Sequence, residues 1–305
     1  MKFLEFLLIF FLIGLLVIAG YILWLILPGQ TVEFGGYDAN ISSGIVSQSQ
    51  FYPNMRYPTK EISFKIDSGC SAEKASDVRE ALSVLQQATV LSFYPTNGDA
   101  EINILCSDIA PTAGEEGHFV AGEGGPSEVL NSSSFSVILS GRIALYREES
   151  CDKPQVALHE ILHALGFEHN DNQRSIMYPV TNCRQVLDQY IIDEINELYS
   201  IPSNPDLIVE EVEASKSGIY FNFEVIISNF GLVDSGPAHL TVFAEDKEIK
   251  SFDFPAGISI ERKTVLTVQS LKIPRSANSV AFLIETDDQE ISKENNRVEL
   301  SITQD

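Results

Sequence analysis

The stretch HEILHALGFEH, residues 159–169, carries three of the chain's five histidines, and their spacing admits few backbones. On an α-helix, His159 and His163 stand one turn apart on one face, so both imidazoles can reach a single ion. A third ligand must come from elsewhere. Gly166 lies three residues after His163, where a left-handed residue can stop the helix and turn the chain. That turn brings His169 over the same ion. Three neutral nitrogens with one open position match catalytic zinc, whereas structural zinc takes four protein ligands. Glu160, beside His159, leans to a neighbouring side of the helix and can accept a proton from an activated water without ligating the metal. A histidine pair on a buried helix is more often two hydrogen-bonded core residues. Here five positions are fixed together, a pattern that chance at average residue frequencies produces in roughly one of tens of thousands of chains this long. The chemistry implied is metal-assisted peptide hydrolysis.

Where such chemistry takes place is read from the N-terminus and the cysteines. Residues 6–27, FLLIFFLIGLLVIAGYILWLIL, contain no charge, and as a helix they match a bilayer core about 30 Å thick. Lys2 precedes them, which places the bulk of the chain outside the cytoplasm. The expectation is an uncleaved single-pass anchor in the cell membrane. A secreted form would follow if the segment were removed at Val17-Ile18-Ala19. Four cysteines, Cys70, Cys106, Cys151 and Cys183, are widely spaced with no CxxC pair, which in an exported chain reads as two disulfides. A net charge of -23 excludes a nucleic-acid surface, which needs clustered Lys and Arg.

Residues 29–55 have no period and much Gly, Ser and Asn, as in an extended stalk. EISFKID alternates as a strand, Ser71 can cap a helix carrying Val78, Ala81 and Leu85, and AEINILC is a second strand. That order predicts a right-handed βαβ unit with parallel strands. The Gly/Glu/Pro-rich residues 109–131 predict loop, with a short edge strand near SEVLN, followed by a strand at FSVILS. PQVALHEILHALG is apolar on nearly all sides, as in a helix buried mid-domain, and RQVLDQYIIDEINELYS is a second, amphipathic helix. Two prolines in IPSNPD end the helical region. Beyond it about seven alternating segments in about 100 residues predict an antiparallel β-sandwich.

In a βαβ unit both parallel strands end on one side of the sheet. Cys70 and Cys106 each follow a strand end, so they pair if the strands are neighbours.

HEILHALGFEH resembles the extended zinc signature of the metzincin metallopeptidases, and SIMYP, with Met177 eight residues after His169, resembles their Met-turn. The Met-Tyr-Pro form is similar to the matrixin branch. In the astacin-like branch a tyrosine two residues after the Met can ligate zinc; Pro179 stands there, so Tyr178 is not assigned as a ligand. No PRCGVPD-like segment precedes the domain, and the histidines for a second zinc are absent; His118 is expected to be polar surface. PDLIVEEVEA, EVIISNFG and ISKENNRVELSI resemble a CARDB-type Ig-like module.

The expected organisation is residues 1–28 as anchor and 29–55 as stalk, from hydropathy and composition; the resemblances imply 56–203 as an α+β metzincin-like peptidase domain with a mixed sheet and a zinc-binding helix, and 204–305 as an all-β Ig-like sandwich. They imply one catalytic Zn2+ held by His159, His163 and His169, Glu160 as general base, Met177 beneath the site, and a protein or peptide substrate. A Met-turn packed at the ion also brings the segment after it beside the one before the zinc helix, which makes Cys151–Cys183 the second expected bridge. Cleft walls are expected in GEGGPSEVLN and at Val180 and Thr181. The tail would offer a surface to a cell-surface partner. Calcium has no ligand spacing behind it: Asp287, Asp288 and Glu290, like His239, are expected to be solvated. The alternative is a cell-surface adhesion or scaffold protein whose metzincin-like domain binds zinc but turns over little.

Overall fold

The computed structural model describes the backbone of residues 2–26, 31–38, 49–111, 120–148 and 151–302, and side chains at 8–23 and, within those spans, from 49 onward. His118 lies outside the described residues. Two compact units are present. One comprises Met1–Asn40, Asp206–Asn229 and Asp234–Asp305, and the other Ile41–Pro205 with Phe230–Val233.

In the first unit, α1 (Lys2–Ile26) is followed by β1 (Thr31–Asp38) and then by β8 (Leu207–Ser217), β9 (Tyr220–Asn229), β10 (Ala238–Ala244), β11 (Lys247–Phe254), β12 (Thr264–Lys272), β13 (Ser279–Thr286) and β14 (Arg297–Ser301). The strands form two four-stranded sheets, β1-β8-β9-β12 and β11-β10-β13-β14, with every pairing antiparallel. Alternation puts Phe221, Phe223, Val225 and Ile227 of β9 inside, in a core with Leu240, Val242, Phe282 and Ile284, as period-two side-chain direction requires. Residues 31–38, read from the sequence as stalk, instead add β1 to the edge of β8.

Two sequence expectations need correction here. The membrane anchor is the first. Among the described residues no helix is long and apolar enough to cross a membrane. A single-pass location in the cell membrane is therefore not supported. The second correction concerns Glu290, which is buried rather than solvated. Its Oε2 accepts from the Leu207 backbone N–H and its Oε1 from Asn296 Nδ2, so it pins β8 to the loop before β14. Asp288 Oδ2 accepts from Gly236 N, Asp287 is exposed, and His239 lies at the surface 3.6 Å from Glu285.

In the second unit β2 (Met55–Arg56), β3 (Glu61–Ile66), α2 (Ala72–Ala88), β4 (Ser92–Pro95), β5 (Ile102–Cys106), β6 (Gly122–Asn131), β7 (Ser136–Leu145), α3 (Gln155–Ala164) and α4 (Gln189–Leu198) follow in chain order. The sheet runs β2-β7-β5-β3-β4, all parallel, with β6 antiparallel on β7. Ser71 caps α2 by accepting from Lys74 N at 3.2 Å. Val78, Ala81 and Leu85 of α2 join Ile62, Ile102, Ile161 and Leu162 in one core. β3 and β5 are parallel neighbours, as the βαβ reading predicts. β4 was not foreseen; it occupies the other edge of β3 through a parallel ladder in which Ser92 N donates to Lys60 O at 2.9 Å and Thr96 N to Phe64 O at 3.0 Å, and Gln86 Oε1, near the end of α2, accepts from Phe93 N.

The disulfides are Cys70–Cys106 and Cys151–Cys183, with Cα atoms 5.0 and 5.2 Å apart. The second ties the segment before α3 to the segment after Met177. Replacing both Cys151 and Cys183 by Ser should destabilise the chain by about 2–4 kcal/mol, chiefly by freeing the unfolded state. Urea denaturation followed by tryptophan and tyrosine fluorescence checks this, and an unchanged midpoint would refute it.

Candidate metal centre

α3 is the buried helix that the sequence predicts: all its residues except Val156 are buried, His159, Glu160 and His163 included. It ends through paired backbone bonds. Phe167 N donates to Leu162 O at 3.0 Å and Gly166 N to His163 O at 2.9 Å, while Gly166 has φ +97°. This is the left-handed helix stop that glycine permits at least cost. A Cβ there would also meet Met55 Sδ at 2.7 Å. The turn returns the chain so that His169 faces the helix.

The three Nε2 atoms converge. His159 and His163 are 3.0 Å apart, His163 and His169 3.0 Å, and His159 and His169 3.1 Å. His159 Nδ1–H donates to Ile176 O at 2.6 Å, and His163 Nδ1–H to Phe167 O at 2.7 Å. These bonds assign the tautomer that leaves a lone pair on each Nε2. Lone pairs meeting at such distances repel one another and cannot satisfy one another, so the arrangement calls for a cation among them. Tetrahedral zinc with nitrogens at 2.0–2.1 Å needs ligand atoms about 3.3 Å apart, so this donor set fits. Burial lowers the His159 and His163 pKa values to about 4, with His163 adding to the shift at His159; burial lowers His169 too. All three are neutral at pH 7, as ligation requires. Among the described residues they are the one group of His, Cys, Asp or Glu with three ligand atoms this close.

Carbonyl orienters fix the rings from outside. Ile176 and the fully buried Met177 belong to the SIMYP turn, whose Tyr178 N donates to Ser175 O at 3.2 Å. Asn170 N donates to Met177 O at 2.9 Å, tying the residue after His169 to the same turn. Ser175 is fully buried and locks this corner. Its hydroxyl donates to Asp188, and accepts from Met177 N at 3.0 Å and Asn170 Nδ2 at 2.7 Å.

Glu160 borders the same cleft, a cavity of about 850 Å³ bounded by 120–124, by the three histidines and by 179–183. Gly122, Glu123, Gly124, Val180 and Thr181 thus stand in its wall. Burial pushes the Glu160 carboxyl up to about 8, and the negative charge of Glu123 adds to this; a dication nearby acts in the opposite sense. β6 presses on α3 here: a Cβ at Gly124 would lie 2.2 Å from Glu160 O.

Two contributors escaped sequence reasoning. Ser49–Phe51, read as stalk, pairs with the turn after α3: Phe51 N donates to Gly166 O at 3.0 Å and Glu168 N to Ser49 O at 2.8 Å. The Phe51 ring stacks on His163 with centroids 5.7 Å apart. A single aromatic in an aperiodic, polar stretch gives no local signal of this. The amphipathic helix is also shorter than expected, since α4 starts at Gln189; the preceding residues serve the turn, with Val186 N donating to Arg174 O and Ile176 N to Val186 O.

Residues 56–200 match the family model described as Matrixin. No curated protein matches the chain. Among solved structures, the chain is similar to the CARDB domain of a Pyrococcus furiosus protein, determined in complex with di-metal ions. Identity is 16%, coverage is 33% of this chain and 93% of that one, and the TM-score is 0.26.

Proposed function

We propose that the chain is a zinc-dependent endopeptidase acting on proteins or peptides, on the premise that residues 56–200, which match the Matrixin family model, form a metallopeptidase domain. One observation carries the reading: three orphaned Nε2 lone pairs meet within 3.1 Å at the wall of a cleft that Glu160 also borders. His159, His163 and His169 would hold the ion. Zinc, when bound, polarises a carbonyl and makes water acidic enough to attack it near neutral pH. The remaining work falls to the chain. Glu160 takes the proton of the attacking water and returns it to the leaving amine, which relieves the buildup of charge at both ends of the reaction. Ile176 O and Phe167 O hold the imidazoles of His159 and His163 in the ligating tautomer, and Met177, buried next to Ile176 in the same turn, would form the floor of the site.

Incubating the purified chain with a proteome-derived peptide library, with and without a zinc chelator, tests the activity by mass spectrometry. Cleavage that chelator abolishes and added zinc restores is the expected result; no cleavage in either condition would refute the reading. Zinc content tests the ligand set separately. One ion per chain should be present, and His163→Ala should lose it, as metal analysis of the dialysed variant will report. Full zinc retention would sink the assignment of that ligand.

A further inference from the structure

The edge of the cleft offers a strand with almost no side chains. β6 opens Gly122-Glu123-Gly124-Gly125, and it pairs with β7 on one side, while among the described residues no strand occupies its other edge. Gly122 and Gly124 back onto Glu160. Alternation therefore sends Glu123 to the opposite face, where it is exposed and Tyr146 O–H donates to its Oε2 at 2.7 Å. The phenol orients the carboxylate and leaves Oε1 open to a substrate. Arg147 and Glu148 also line the cleft, and Arg142, opposite Gly125 on β7, lies near enough to Tyr146 to act on it electrostatically. With Glu160 assigned to proton transfer, Glu123 is the exposed carboxylate that β6 itself presents to the cleft. The acidic exterior, net charge -23, adds a long-range field that concentrates cationic peptides.

Resting on the endopeptidase reading above, we propose that Glu123, oriented by Tyr146, is a specificity-determining residue that selects substrates with a Lys or Arg at one fixed position from the scissile bond. A substrate segment laid antiparallel on the open edge of β6 sets one side chain directly opposite Glu123 on the same face, with Cβ atoms about 4.5–5.5 Å apart. That is within reach of a Lys or Arg head group. The flanking glycines offer no competing side chain, so the strand reads this one position.

The test uses the full chain and the same peptide library, followed by matched peptides carrying Lys, Gln or Glu at the enriched position. Lys or Arg should be enriched at a single position, with kcat/KM for the Lys peptide about 3- to 10-fold above that for Glu, as an exposed ion pair allows. The preference should shrink as salt is raised. Glu123→Gln should bring the ratio close to one, and Glu123→Lys should invert it, with the Gln peptide reporting that each variant is folded and active. Tyr146→Phe should weaken the ratio without inverting it. Chelator-sensitive cleavage with a ratio unchanged in Glu123→Gln would overturn this assignment alone. Absence of chelator-sensitive cleavage in the unaltered chain would overturn the endopeptidase reading and this inference with it.

Discussion

Glu160→Gln should lower peptide hydrolysis by about 10²-fold or more while zinc content stays at one ion per chain. The amide keeps the size of the side chain but cannot accept the water's proton. Size matters at this position. Glu160 is 6% exposed, and β6 lies so close that a Cβ at Gly122 would approach its Oε1 to 2.9 Å. Gln fits that space, so a loss of activity can be assigned to the missing base rather than to a collapsed site. The nitrogens proposed as ligands belong to other residues, and the carbonyls that orient His159 and His163, Ile176 O and Phe167 O, are untouched. Measuring kcat/KM and zinc on the same preparation separates the two effects. Near-normal turnover would mean that another group takes the proton.

Arg56→Met should cost about 3 kcal/mol or more in stability, the largest effect expected from any change outside the metal site. Arg56 is 1% exposed, with no carboxylate partner among the hydrogen bonds it makes. Its guanidinium donates instead to backbone carbonyls: to Leu198 O, to Ile201 O at 3.0 Å, to Pro58 O at 3.1 Å and, through Nε, to Tyr57 O at 3.0 Å. It also lies 4.2 Å from the Tyr199 ring centroid. Leu198 ends α4, so a positive charge sits at the negative pole of the helix and satisfies carbonyls that the helix leaves open. Burial lowers the Arg56 pKa, the sign expected of a cation withdrawn from water. Met fills the volume but strands several acceptors at once. Arg56→Lys should recover only part of the loss, because an ammonium cannot reproduce the planar fork. Urea denaturation of the three chains decides it, and a Met variant within 1 kcal/mol of the original would refute the account.

Arg56 also marks the limit of sequence reading. One arginine beside a tyrosine carries no pattern; its role exists only because α4, about 140 residues later, delivers its C-terminus to that spot. The same holds for Phe51 against His163, for Glu123 paired with Tyr146 across β6 and β7, and for β1, whose partner strand is far along the chain. Each depends on contacts that no local period encodes. The α1 expectation was overturned on different grounds. A charge-free run reads as a membrane span, but among the described residues no helix meets the length and apolarity a span requires.

What the sequence determined by itself was local or fixed by close spacing. The two histidines on one helical turn, the stop at Gly166, the Ser71 cap and the alternation of β8–β14 follow from backbone periods of 3.6 and 2. The Cys70–Cys106 pairing followed from one further step, the rule that parallel neighbours end on the same side of a sheet, and Cys151–Cys183 from the resemblance of SIMYP to a Met-turn. Tertiary structure alone decided how the donors meet. Ile176 O and Phe167 O fix the rings of His159 and His163, and the Schellman turn at Gly166 brings His169 to face them. The strand–helix contact at Gly124 sets Glu160 beside them. These distances are set by packing between segments remote in sequence, and packing at interior density leaves each of them little freedom.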